Sequence, residues 1–109
     1  MKTIKSSSDI SRVFDKGRRI NTPGITILVK RNEEQHDQTG RVAFIAGKKN
    51  GNAVWRNKAK RRMRALYRDL DMDFPGYDMV LMARKQINEM RYVDLKEDLS
   101  QAKHKMHCL

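Results

Sequence analysis

Histidine, cysteine and paired carboxylates are the residues whose chemistry could turn over a substrate. The histidines are His36, His104 and His107, and the cysteine is Cys108. His36 lies in a polar stretch, and the others sit near the C-terminus. His104, His107 and Cys108 form an H-x-x-H-C spacing that could touch a metal ion. A structural zinc site wants four ligands, and no second cluster completes the set. Asp69, Asp71 and Asp73 alternate after a basic segment and read as a solvated turn. No G-x-S-x-G elbow, no Walker loop and no carboxylate pair beside a histidine is present. The sequence therefore predicts no catalytic residue and no metal site on the protein itself.

The cations are organised quite differently. The chain has 109 residues, with 24 Lys+Arg against 13 Asp+Glu, a net charge of +11. No acidic residue lies between Asp37 and Asp69, while Arg41, Lys48, Lys49, Arg56, Lys58, Lys60, Arg61, Arg62, Arg64 and Arg68 all do. Those ten charges leave 14 basic and 13 acidic residues for the rest of the chain, which is nearly neutral. Such an excess concerns partners rather than fold. At 100° per residue, Asn57, Lys60, Arg61, Arg64 and Arg68 fall on one helix face, opposite Ala59, Met63, Leu66, Tyr67 and Leu70. Lys58 and Arg62 flank the apolar stripe. Guanidinium forks on one line can track a phosphate backbone. The loop Gly47–Asn52 adds Lys48, Lys49 and backbone N–H groups at the helix start, a further anion site. Trp55 either stacks on a base or anchors packing. A membrane-surface helix is the weaker alternative, because the narrow apolar face is needed for the core of a small domain.

These residues need a scaffold, and periodicity supplies one. Ser7 or Ser8 caps a short helix carrying Ile10, Val13 and Phe14, with Gly17 as its stop. Asn21-Thr22-Pro23-Gly24 is a turn signal. Ile25–Val29 is a strand, Arg31–Gly40 a hairpin loop, and Arg41–Ala46 the returning strand. The basic helix spans about Ala53 to Leu70. Asp78–Ala83 reads as a buried strand, and Tyr92, Leu95, Leu99, Ala102 and Met106 mark an amphipathic C-terminal helix. The order predicts a single α/β sandwich domain over residues 1–109, a small sheet covered by helices. The strand–helix–strand unit Arg41–Ala83 would cross over right-handed by the usual rule. Apolar runs such as Ile25–Val29 and Met79–Ala83 are too short to span a bilayer. Met1–Ser8 has no apolar signal region, and one cysteine forms no internal disulfide. A reduced, cytoplasmic setting is expected.

The segment Lys48-Lys49-Asn50-Gly51-Asn52-Ala53-Val54-Trp55-Arg56-Asn57-Lys58-Ala59-Lys60-Arg61-Arg62-Met63-Arg64 closely resembles the signature of the bacterial ribonuclease P protein component. Val13-Phe14 before Gly17 resembles that family's first helix. Tyr77–Lys85, ending in Ala-Arg-Lys, resembles its later strand. The resemblance implies a left-handed β-α-β crossover in place of the right-handed default. It implies a subunit of a ribonucleoprotein endonuclease whose catalytic RNA, with Mg²⁺, removes the 5′ leader of precursor tRNA. It carries over Lys48, Lys49, Gly51, Asn52, Arg56, Asn57, Lys60, Arg61 and Arg64 as signature positions for RNA; Lys58, Arg62 and Arg68, from the same charged helix, complete the expected RNA-binding set. It assigns a leader cleft to Ile10, Phe14, Leu28, Arg56, Asn57, Lys60 and Arg64. Ile10 and Leu28 stand where many members carry aromatics, so leader stacking is expected to be weaker. Asn50 replaces an apolar residue, Trp55 is unusually large, and Ala65 replaces a Glu or Gln. The expected partners are the catalytic RNA and precursor tRNA, with no membrane and no obligate protein partner. A ribosomal or chaperone-type RNA-binding module is the alternative; a protein nuclease acting alone lacks catalytic groups.

Overall fold

The computed structural model describes residues 1–32 and 40–107. The chain order is β1 (Lys2–Thr3), α1 (Ser7–Lys16), β2 (Arg18–Asn21), β3 (Ile25–Arg31), β4 (Arg41–Ile45), α2 (Ala53–Asp69), β5 (Tyr77–Ala83) and α3 (Tyr92–Met106). Short 3-10 turns occur at Lys48–Asn50 and Ile87–Glu89. The strands form one mixed sheet in the order β1-β4-β5-β3-β2. Strands β1, β4 and β5 run parallel, and β3 is antiparallel to both β5 and β2.

The hairpin expected between β3 and β4 does not form, because β5 lies between them. The reason is burial. Asp78, Met79, Val80 and Leu81 are buried in succession, so β5 needs cover on both faces and neighbours on both edges. Residues 33–39 of the expected hairpin loop, His36 among them, lie outside the described residues. The edge strands β1 and β2 have no clear signal in the sequence. One has only two residues, and the other reads Arg-Arg-Ile-Asn.

Side chains alternate across the sheet. Ile25, Ile27, Val29, Val42, Met79, Leu81 and Ala83 pack against Ala59, Met63, Leu66 and Tyr67 of α2 and Leu95, Leu99, Ala102 and Met106 of α3. Leu28, Ala43 and Val80 emerge on the other face and pack with Ile4 and Val13. One face thus carries two helices and the main core. The other carries only the short helix α1, which leaves part of that sheet face open.

Helix α1 is capped by Ser6, one residue before the expected caps; its Oγ accepts from the Asp9 amide at 3.4 Å. It stops at Gly17, where a Cβ would meet the Val13 carbonyl oxygen at 2.4 Å. A polar network fastens α1 to the sheet. Arg41 donates Nε and Nη2 to the Asp78 carboxylate at 2.8 and 2.6 Å, and Nη1 to Asp9 at 3.4 Å. Asn32 adds its amide to Asp78 at 3.2 Å. Asp78 is only 6% exposed, so its charge depends on these donors. The bonds to Asp78 in turn raise the Arg41 guanidinium above its ordinary value. Among the described residues no helix is long and apolar enough to cross a membrane.

Candidate nucleic-acid interface

Helix α2 begins where Asn52 Oδ1 accepts from the Trp55 amide at 3.0 Å. Asn52, expected among the RNA contacts, therefore uses its side-chain oxygen as the helix cap. The adjacent Gly51 is required sterically, since a Cβ there would lie 2.6 Å from the Trp55 ring. Trp55 is half-buried against the main core, and Asn88 donates to its carbonyl at 3.0 Å. This favours the packing role for Trp55. The large side chain fills the space that Gly51 leaves.

Along α2 the expected division of faces holds except at Lys60 and Leu70, which are both half-buried. Ala59, Met63, Leu66 and Tyr67 are buried, while Asn57, Lys58, Arg61, Arg64 and Arg68 are exposed. Arg56 and Lys60 are half-buried. The Arg64 guanidinium carbon lies 5.6 Å from the Phe44 ring centroid, and Phe44 meets Tyr67 edge-on at 5.8 Å. Arg64 is thereby oriented by an aromatic face without losing its exposure. Burial, with help from Asp73 and Asp71, pushes the Tyr67 phenol up to about 12.

Arg62 departs from the expected RNA-contact set. It is half-buried and donates Nη1 to the Ile87 carbonyl at 2.5 Å and Nη2 to the Met90 carbonyl at 2.7 Å. Its position beside the apolar stripe brings it against the segment that precedes α3.

The expected leader cleft is divided by the fold. Phe14 is 37% exposed on α1, and Ile10 is half-buried at the margin of the smaller cluster. Leu28 is 1% exposed and enclosed by Ile4, Val13, Ala43 and Val80. It is core beneath α1, and no nucleotide could reach it without displacing that helix. The open part of this sheet face lies beyond α1, at the carboxyl ends of parallel strands β4 and β5. There a groove of about 740 Å³ is lined by Arg19, Asn21, Thr26, Ile45, Gly47, Lys48, Lys49, Asn50, Met82, Ala83, Arg84 and Lys85. Its charged lining is five cations and no carboxylate. Its apolar floor is Ile45 and Met82, both half-buried.

Of the groove residues, only Lys48 and Lys49 belong to the expected binding set. Arg84 and Lys85 are visible in the sequence as the end of an Ala-Arg-Lys run. Arg19 carries no signal until β2 pairs it opposite Leu28. Asn50 sits in the groove wall rather than in a core position, which accounts for its polarity.

Among the described residues, Asp69, Asp73 and His107 have neighbours within the protein. Asp69 accepts from the Tyr92 hydroxyl at 2.5 Å, and burial together with that bond pushes the Tyr92 phenol up to about 12. Asp73 accepts from the Gly40 amide at 2.7 Å, and Asp71 holds a φ of +50° in the turn after α2. The His107 ring stands 5.0 Å from Phe74. Among the described residues no three His, Cys, Asp or Glu side chains converge as metal ligands. Cys108 lies outside those residues.

A family model described as Ribonuclease P matches residues 1–107. The ribonuclease P protein component of Oceanobacillus iheyensis is 33% identical over 94% of this chain and 84% of its own. That of Ruegeria pomeroyi is 37% identical over 96% of this chain and 86% of its own. The RNase P protein of Staphylococcus aureus superposes with a TM-score of 0.80 at 25% identity, covering 98% of this chain and 95% of that one. The Thermotoga maritima RNase P protein shares the fold, with a TM-score of 0.79 at 21% identity over 96% and 97% of the two chains. These matches show that the chain belongs to the ribonuclease P protein component family, the RNA-binding subunit of an endoribonuclease of tRNA processing.

Proposed function

We propose that this subunit works on two surfaces at once. The exposed ridge Asn57, Lys58, Arg61, Arg64 and Arg68 of α2, with Arg56 and Lys60 beside it, docks on the catalytic RNA. The groove at the ends of β4 and β5 holds the single-stranded 5′ leader of precursor tRNA. The observation that carries the second half is the groove itself: five cations, the signature lysines Lys48 and Lys49 among them, around an apolar floor with no carboxylate in the lining. Its lysine and arginine heads suit phosphates, and Ile45 and Met82 offer an apolar bed to unstacked bases. Phe14, exposed on α1, extends the apolar surface on the same face of the sheet. Contact without aromatic stacking in the groove predicts a leader grip tolerant of sequence.

Hydrolysis belongs to the RNA subunit in this reading. Asp69 and Asp73 accept from the Tyr92 hydroxyl and the Gly40 amide, and among the described residues no three His, Cys, Asp or Glu side chains converge, so the described donors do not fit a resident Mg²⁺. A Mg²⁺ held by the RNA would supply the Lewis-acid chemistry there. The protein's contribution is to hold the substrate and to screen charge between two polyanions.

Reconstitution tests the proposal. The protein, its cognate RNA and a leader-bearing precursor tRNA should release the leader at a Mg²⁺ concentration where the RNA alone is slow. Absence of stimulation would refute it. Cosedimentation with ribosomes without such stimulation would instead support the structural RNA-binding module.

A further inference from the structure

We infer that Arg62 is a positioning residue rather than an RNA contact: it pins the segment that carries Arg84 and Lys85, and so fixes one wall of the groove. The inference rests on the reading of that groove as the leader site.

The geometry is specific. Both terminal nitrogens of Arg62 are committed, to the carbonyls of Ile87 and Met90 at 2.5 and 2.7 Å. These carbonyls flank the 3-10 turn Ile87–Glu89, where backbone acceptors lack partners within the turn. The Ile87 amide donates to the Arg84 carbonyl at 3.0 Å, and the Arg84 amide donates to the Gly24 carbonyl at 2.9 Å. Arg84 is therefore held from one side by the turn before β3 and from the other by the turn that Arg62 clamps. Asn88 adds a second tie to α2 through the Trp55 carbonyl. The Ile87 side chain is fully buried, so the turn docks as a unit.

A planar fork is needed to bridge two carbonyls, and lysine offers one point charge. An arginine with both terminal nitrogens on backbone carbonyls has its guanidinium turned to the protein and fewer donors left for a phosphate. The run Arg61-Arg62-Met63-Arg64 thus divides its labour, with Arg61 and Arg64 exposed and Arg62 turned to the protein's own backbone.

The test uses reconstituted holoenzyme with Arg62→Ala and Arg62→Lys, and with Arg61→Ala as the docking control. Two quantities are measured: the salt dependence of affinity for the RNA subunit, and the affinity gained when the tRNA carries its leader. Arg61→Ala should lower the salt slope by about 0.7 to 0.9, as for one lost phosphate contact. Both Arg62 variants should leave that slope unchanged and reduce the leader-dependent gain, by up to about tenfold for the loss of one or two charge-assisted contacts. Arg62→Lys keeps the charge and the aliphatic stem, so it remains informative if Arg62→Ala unfolds.

A salt slope lowered as much as by Arg61→Ala would make Arg62 an RNA contact and overturn the inference. A lower melting temperature with the leader gain intact would also overturn it, leaving a purely structural clamp. Arg84→Ala separates the two readings. If Arg84→Ala lowers the leader gain and the Arg62 variants do not, only the positioning role fails. If Arg84→Ala has no effect, the groove assignment itself fails.

Discussion

Replacing Arg84 and Lys85 together by alanine removes two of the five cations around the groove while leaving the α2 ridge intact. Each phosphate neutralised on a single strand contributes about 0.7 to the slope of log affinity against log salt. Five such contacts give a leader-specific slope of about 3.5, so a fourfold rise in salt weakens the leader's contribution by about 130-fold. Three contacts give a slope of about 2.1 and a loss of about 18-fold over the same range. The disadvantage of the double variant should therefore shrink by about sevenfold between low and high salt. The assay is binding of labelled precursor tRNA to the reconstituted holoenzyme, with leader-free tRNA as the subtraction. Both substituted side chains are exposed, so the melting temperature should hardly move. An unchanged leader-specific slope would refute the groove as the leader site. So would an equal change with leader-free tRNA, which would place these cations against another part of the RNA.

Other expectations concern the scaffold. Met63→Ala deletes a fully buried side chain beneath the ridge and should cost about 2–5 kcal/mol. For a domain of this size that is a drop of about 8–20 °C in melting temperature, read by circular dichroism. Among the described residues, Arg41→Ala should leave the buried Asp78 with the Asn32 amide alone, at a cost of about 3 kcal/mol, and Asp78→Asn in the same background should recover part of it. Equal destabilisation of the single and double variants would show that the unpaired Asp78 charge is not what the substitution costs. The Tyr67 phenol, pushed up to about 12 from 10, predicts loss of stability in alkali. A raised folded-state value means stability is complete below pH 10 and declines as pH rises through about 12. The decline should be about 1–3 kcal/mol for the buried Tyr67, and Tyr67→Phe should reduce it in alkaline denaturant titrations.

The sequence by itself determined the elements that bear periodicity and the segment that bears charge. Helix α2 could be placed from Ala59, Met63, Leu66 and Tyr67, because a core-facing stripe must repeat every 3.6 residues whatever it packs on. The same projection put Arg61, Arg64 and Arg68 on the exposed side, and the signature named their partner. Strand β5 was legible from its unbroken apolar run, which only a strand covered on both faces tolerates.

Tertiary structure decided what depends on neighbours distant in sequence. Strand order was one such matter. A polar loop between two apolar strands reads as a hairpin, yet β5, buried along most of its length, takes the place between β3 and β4. The fate of individual side chains was another. Leu28 and Met82 are both apolar strand residues, and only the placement of α1 makes one core and the other groove floor. Arg61 and Arg62 are adjacent cations that no local rule distinguishes. One reaches solvent, while the other meets the Ile87 and Met90 carbonyls because a turn some 25 residues later docks beside it. The groove assembles from β2, β3, β4, the loop after β4, and the end of β5, so no contiguous stretch of sequence could display it. Helical and strand periodicities are properties of a local backbone, whereas a concave surface exists only once distant segments share one sheet.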